Sequence, residues 1–207
     1  MPIVVLACSA GGLAALTVVL ERLPADLPAA VIVLQHLEPD RVSELPAILG
    51  QRTTLPVGFA ADGDVLTPGR VLVAPSGFHT LIAADLSIAL IPSGAAPPYR
   101  PSADLLLTTA AIAAGRQLIA VVLTGHGNDA ATGATVVHRF GGTVIVSSVA
   151  TSTQPAMPHA TISRGDITGH VVALSDVGDL ILTLVNAPMI TPTQLLRGNG
   201  GAATGDR

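Results

Sequence analysis

Six runs of almost wholly apolar, largely β-branched residues punctuate the chain: Ile3 to Ala7, Ala30 to Leu34, Val71 to Ala74, Leu118 to Leu123, Val144 to Val146 and His170 to Leu174. A strand with one wet face alternates apolar and polar residues. Strands that do not alternate are covered on both faces, which is the signature of a parallel sheet. Parallel strands need crossovers, and the intervening segments supply them. Leu13 to Leu23 is apolar nearly all round, which predicts a well-buried helix. Val42 to Leu49 predicts a shorter one, interrupted by Pro46. Ser102 to Ala114 opens with an N-cap serine and a first-turn Asp104. Ala130 to Phe140 stops at Gly141-Gly142, and Ser175 to Asn186 carries Leu180, Leu182 and Leu184 in an apolar stretch. One departure breaks the alternation. Thr80 to Ala83 and Ser87 to Ile91 read as a β-hairpin, followed by a rigid loop, Pro92 to Pro101, with four prolines. The expected fold is α/β: a doubly wound, mostly parallel sheet in a three-layer α/β/α sandwich with a β-hairpin insertion.

The length of 207 residues suits one domain, expected over 1–188, with a patternless, flexible tail at 189–207. Hydrophobic residues make up 49% and charged residues 12%, which excludes a disordered chain. The net charge is −4, every basic residue is arginine, and aromatics are only 2%. No electrostatic footprint or stacking platform for nucleic acid is present. Cys8, the single cysteine, closes the first apolar run and reads as a small buried hydrophobe. No positively charged segment precedes that run, and no apolar stretch approaches the ~20 residues of a membrane span. A soluble, cytoplasmic protein without membrane insertion is expected; its oligomeric state is left open.

Doubly wound sheets bind ligands beyond the carboxyl ends of their strands. The first run ends at Ser9, in Cys8-Ser9-Ala10-Gly11-Gly12. The second ends at Gln35-His36. The run Leu118 to Leu123 ends in Thr124-Gly125-His126-Gly127-Asn128-Asp129. A hydroxyl, an imidazole and a carboxylate therefore emerge on one rim. Acyl transfer needs this set: a nucleophile weak at its own pKa, a base to take its proton, and an acid to orient the base. Gly11-Gly12 lets the chain turn sharply, bringing helix-start N–H groups near Ser9 as oxyanion donors. Taken singly, each residue has a plainer explanation. Ser9 would equally cap the first helix, His36 would sit at the core edge, and Asp129 would cap the helix that follows it. Co-location on one rim favours the chemical reading. The nucleotide signatures G-x-x-x-x-G-K-[ST] and G-x-G-x-x-G are absent, as is the G-x-S-x-G elbow.

Ser-Ala-Gly-Gly after the first strand, Gln35-His36, the spacer Asp62 to His79, "RPSADLLL" from Arg100, "VVLTGHGNDAATG" from Val121 and "AMPHAT" from Ala156 occur in one order. Together they resemble the catalytic domain of the chemotaxis receptor methylesterases, the CheB family, over roughly Pro2 to Val185. The resemblance implies a protein-glutamate methylesterase, often also a glutamine deamidase. It implies Ser9 as nucleophile, His36 as base and Asp129 as its orienting acid, with no cofactor or metal. Ala10, Gly11, Gly12, His126, Gly127 and Asn128 are the expected oxyanion and substrate pocket. The implied partners are methylated cytoplasmic helices of chemoreceptors. Two positions depart from the family pattern: Ala10 replaces a threonine, and His126 replaces a methionine. They motivate two alternatives, a degenerate esterase-like binding module and a metal-dependent hydrolase using His36, His126 and Asp129. No receiver-like segment precedes Ser9, so a stand-alone or excised domain with an open cleft is expected.

Overall fold

The computed structural model describes residues 1–38, 43–94 and 99–187. Seven strands form one sheet: β1 (Ile3–Cys8), β2 (Ala30–Gln35), β3 (Val57–Phe59), β4 (Val71–Val73), β7 (Leu118–Val122), β8 (Thr143–Ser147) and β9 (His170–Val172). Their order is β3-β4-β2-β1-β7-β8-β9, and every pair is parallel. A separate antiparallel hairpin, β5 (Phe78–Ile82) and β6 (Ile88–Pro92), is the expected insertion. The chain leaves β1 towards β2 on one side and later returns to β7 on the other. The topological switch therefore lies at β1.

Alternate residues of the central strands feed two cores. Ile3, Val5 and Ala7 of β1 pack into one, with Leu106, Leu107 and Ala110 of α3 (Ala103–Ala114), Val137 of α4 (Ala131–Arg139) and Met157 of α5 (Ala156–Ile162). Val4, Leu6 and Cys8 face the other, with Leu16 and Val19 of α1 (Gly12–Leu20), Leu45 of α2 (Leu45–Gly50) and Ile181 of α6 (Val177–Val185). All six residues of β1 are fully buried. Each medium or large side chain removed from water there contributes about 1.5–3 kcal/mol, which is why this strand tolerates no polar residue until Ser9.

Several boundaries differ from the sequence expectations, each for a local reason. Pro46 lies in the first turn of α2 rather than interrupting it, since the first-turn N–H groups have no intrahelical acceptor. Val42, the expected start of that helix, lies outside the described residues, as do positions 95–98 of the proline-rich loop and the tail at 189–207. Strand β3 was not expected: three residues with a central Gly58 carry too little pattern to register. Helix α5 was also unexpected, although Pro158 again falls in its first turn, where it is tolerated. The hairpin spans Phe78 to Pro92 rather than Thr80 to Ile91, and Leu174 falls in a 3-10 turn beyond β9 rather than in the strand. Ser102 does cap α3, accepting from the Leu105 N–H at 3.4 Å.

Candidate active site

The carboxyl ends of β1, β2 and β7 meet at the switch point, and the rim residues collect there. Ser9 follows β1 and its N–H donates to the Thr124 carbonyl at 2.9 Å. His36 follows β2, with its N–H on the Cys8 carbonyl at 3.1 Å. These ladder-like bonds extend the sheet one residue beyond its strands and fix Ser9 and His36 as neighbours. The helix-cap explanation of Ser9 does not hold. Gly11 is the N-cap of α1, left-handed at φ 79, and no side chain caps that helix. A Cβ there would sit 3.0–3.3 Å from Thr153 and Thr124, so glycine is required both for the turn and for the space.

Asp129 does not cap its own helix either. The next residue, Ala130, takes φ 81, a left-handed conformation that costs a non-glycine residue about 1–2 kcal/mol. The bend turns the carboxylate away from α4 and onto the N-terminus of α3. Asp129 Oδ2 accepts from the Ala103 N–H at 2.7 Å, and Oδ1 accepts from the Asp104 N–H at 2.9 Å and the Ser102 hydroxyl at 3.3 Å. Oδ2 also meets His36 Nε2 at 2.8 Å. The Asp129 side chain is 1% exposed and that of His36 11%. Burial pushes the Asp129 carboxyl up, but the bond from His36 and the two α3 amides outweigh it, and its pKa lies below the ordinary value. An ionised Asp129 fixes the tautomer: Nε2 carries the proton and Nδ1 keeps its lone pair.

The base-orienting shell is thicker than sequence reasoning foresaw. Ser102 and Asp104 were read as helix-start residues only; their role towards Asp129 depends on a partner 25 to 27 positions away in the chain. His79 was not singled out at all. Its Nδ1 accepts from the Ser102 N–H at 3.0 Å, steadying the same helix start, and burial lowers its pKa against the pull of Asp129. Asp104 in turn accepts from the Gly133 N–H at 2.7 Å, tying α3 to α4; burial raises its pKa. Thr124 stitches the rim, donating to the Ala10 or Gln154 carbonyl and accepting from the Gln154 N–H at 2.7 Å. Tyr99 was missed as well, because the proline-rich loop around it has no periodicity to place it.

A cleft of about 490 Å³ opens over these residues, lined by Ser9, His36, Leu37, Glu38, Tyr99, Arg100, His126 and Gly127. His126 and Gly127 are exposed at its edge. Gly12 and Asn128 already use their N–H groups, on the Ser9 carbonyl at 2.9 Å and the Tyr99 hydroxyl at 3.2 Å. Among the described residues, the N–H groups of Ala10, Gly11, His126 and Gly127 have no protein acceptor. Of these four, His126 and Gly127 line the cleft. Also among the described residues, no three His, Cys, Asp or Glu side chains come together as metal ligands, so His36, His126 and Asp129 do not form the set the metal reading requires. Cys8, the last residue of β1, is fully buried, its thiol pushed up by desolvation. No helix among the described residues is long and apolar enough to cross a membrane.

Fold and cleft define the class: a doubly wound α/β domain with a hydroxyl and a His–Asp pair at the switch point of its sheet. The chain belongs to the CheB methylesterase family, whose family model matches residues 4–181. It is 36% identical over 188 residues to a protein of Moorella thermoacetica named protein-glutamate methylesterase/protein-glutamine glutaminase, covering 88% of this chain and 44% of that protein. It is 34% identical to the protein-glutamate methylesterase FrzG of Myxococcus xanthus, covering 89% of this chain and 55% of that one. The chain thus spans about half the length of the curated relatives it matches. The crystal structure of the Thermotoga maritima CheB methylesterase catalytic domain superposes with a TM-score of 0.84 at 33% identity, covering 88% of this chain and 98% of that one.

Proposed function

We propose that this chain hydrolyses methyl esters on glutamate side chains of chemoreceptor-type helices through Ser9, His36 and Asp129. One observation carries the reading: the His36–Asp129 pair at 2.8 Å, with His36 and Ser9 lining one cleft. Nε2 is committed to Asp129, so Nδ1 is the basic nitrogen, the reverse of the usual serine-hydrolase assignment in which the acid holds Nδ1. Ser9 Oγ attacks the ester carbonyl as Nδ1 takes its proton. The oxyanion develops towards the open N–H groups of Ala10, Gly11, His126 and Gly127; one such donor is worth about 2.7–4 kcal/mol at the transition state. The imidazolium is stabilised by Asp129 and returns its proton to the departing methoxide, which leaves as methanol. Water then cleaves the glutamyl-Ser9 ester through the same base. An amide substrate follows the same path with ammonia leaving, which accommodates the glutaminase activity in the relatives' names. The departures at Ala10 and His126 leave the backbone donors in place, since neither replaces an N–H.

The test is methanol release from a helical peptide bearing a glutamyl γ-methyl ester. The wild-type chain is expected to release it. Ser9→Ala should lose about 10⁴- to 10⁶-fold in kcat while melting within 2 °C or so of wild type. A folded Ser9→Ala protein with near-normal turnover refutes the serine mechanism. An inactive wild type that binds the peptide supports a binding module instead.

A further inference from the structure

We propose that Tyr99 is a positioning residue for this hydrolysis. Its ring locks the His36 imidazole in the orientation that serves both Asp129 and Ser9, and its hydroxyl holds the Gly127-Asn128 loop over the same cleft. The proposal rests on the roles given above to Ser9, His36 and Asp129.

Two contacts meet in this one side chain. The Tyr99 and His36 rings stack with centroids 5.2 Å apart and planes 22° from parallel. The Tyr99 hydroxyl donates to Asn128 Oδ1 at 2.9 Å and accepts from the Asn128 N–H at 3.2 Å. The fit is close. Gly127 is left-handed at φ 81, and a Cβ on it would collide with the Tyr99 hydroxyl, with ring carbons at 2.8 Å. The backbone around Tyr99 is anchored as well, because the Leu37 N–H, one residue past His36, donates to the Arg100 carbonyl at 2.9 Å.

The stack matters because an imidazole has two different edges. Rotating His36 by half a turn about Cβ–Cγ exchanges Nδ1 with Cδ2 and Nε2 with Cε1. A carbon would then face Asp129, and another would face the place where Nδ1 takes the serine proton. The flipped ring is inert. One bond to Asp129 opposes that flip but does not block it. An aromatic face lying against the imidazole does, because the ring must sweep perpendicular to its own plane to turn over. The tyrosine hydroxyl acts separately: it holds the Asn128 N–H and side-chain Oδ1 and so fixes the loop whose His126 and Gly127 line the cleft with unpaired N–H groups. Tyr99 thus braces the base and one side of the oxyanion site at once, without itself taking or giving a proton.

The experiment compares the full chain with Tyr99→Phe, Tyr99→Leu, Asn128→Ala and the Tyr99→Phe/Asn128→Ala pair. The readouts are kcat and KM on the methyl-ester peptide and the ¹⁵N–¹H spectrum of the His36 ring. An aromatic pair is worth a factor of about 2–12, and a neutral hydrogen bond about the same. Tyr99→Phe keeps the stack and should lower kcat about 3- to 10-fold with the ring spectrum unchanged. Tyr99→Leu loses both contacts; kcat should fall about 10- to 100-fold, KM should stay within about twofold, and the Nε2–H signal of a single orientation should broaden or split. Asn128→Ala removes only the bond to Oδ1, whereas Tyr99→Phe removes that bond and the one from the Asn128 N–H, so Asn128→Ala and the pair should fall no further than about the Tyr99→Phe effect. A Tyr99→Leu protein with the wild-type kcat and ring spectrum overturns the proposal, as does a loss confined to KM, which would make Tyr99 a substrate contact. If Tyr99→Leu does not fold, Tyr99→Phe decides: full activity and additivity with Asn128→Ala overturn the hydroxyl's role. A wild type inactive on the ester refutes the hydrolase reading, and the ring spectra then decide the locking of His36 on their own.

Discussion

Asp129 is the residue on which most of the site's geometry converges, and its chemistry yields a prediction on two axes. Asn in its place keeps the shape, and its oxygen can still accept from the Asp104 N–H and the Ser102 hydroxyl, but an NH₂ at the Oδ2 position donates to Nε2 and leaves the Ala103 N–H without its acceptor. That donation would move the imidazole proton to Nδ1, the nitrogen that receives the serine proton in the proposed mechanism. Asp129→Asn is therefore expected to cost about 10³- to 10⁴-fold in kcat with the fold intact. Stability changes too. The folded pKa of Asp129 lies below its unfolded value, so its contribution is present above the ordinary carboxylate value of 3.8 and is lost as pH falls through the lower folded value. Asp129→Asn should accordingly flatten the acid limb of a denaturation-midpoint profile below about pH 4. Asp104 works in the opposite sense, since burial raises its pKa and penalises its charge at neutral pH. An Asp129→Asn enzyme with wild-type turnover would remove Asp129 from the mechanism, and an unchanged acid limb would show that its ionisation is not linked to folding. At this scale the sequence was legible where a residue's role follows from its strand. Ser9, His36 and Asp129 could be placed because each sits at the end of an apolar run. Tyr99 and His79 could not, because their partners are fixed only by tertiary packing of a loop and a hairpin.

At the scale of elements, the site depends on how closely α3 and α4 approach, because α3 supplies the amides that hold Asp129 and α4 starts beside it. Gly133 makes the approach possible: a Cβ there would stand 2.7 Å from Leu107 Cβ and 3.1 Å from the Asp104 backbone. Alanine is the better helix former by about 1 kcal/mol, yet overpacking of this kind costs about 1–3 kcal/mol. The steric term should win, since two of the crowded atoms are backbone. Gly133→Ala is expected to destabilise by up to about 2 kcal/mol, a fall of up to roughly 8 °C in Tm for a domain of this size. It should also reduce kcat, because the push falls on Asp104, whose N–H holds Asp129. A stabilised Gly133→Ala protein would show that α3 yields freely and that the helix pair is not what fixes the carboxylate. Sequence pattern located both helices to within a residue or two, because their stop and start signals are local. It was silent on their contact, which a glycine in mid-helix only hints at. The two missed elements, β3 and α5, are three and seven residues long, too short for periodicity to rise above their Gly and Pro content.

For the whole molecule, the architecture decides what form of substrate can be used well. The cleft lies at the edge of the sheet where β1, β2 and β7 end, and it measures about 490 Å³. One turn of a helix, about 10–12 Å wide and 5.4 Å tall, displaces roughly 420–610 Å³. A helix of the proposed substrate type would fill the space of the whole cleft in a single turn, so it would lie across the mouth and send only its ester-bearing side chain down to Ser9. Contacts along the rest of the helix are remote from the reacting carbonyl. Binding energy of that kind is realised as rate when it pins the carbonyl against the nucleophile and the oxyanion donors. Small esters enter the same cleft without those contacts and turn in it freely. The expectation is that kcat/KM for a helical peptide carrying a glutamyl γ-methyl ester exceeds that for free glutamate γ-methyl ester by at least about 10²-fold, part of it in kcat. The comparison is made by methanol release with the same enzyme preparation, and a scrambled, non-helical peptide of identical composition should fall towards the free amino acid. Equal kcat/KM for all three would mean that the cleft recognises the ester alone and that the helix adds nothing to the reaction.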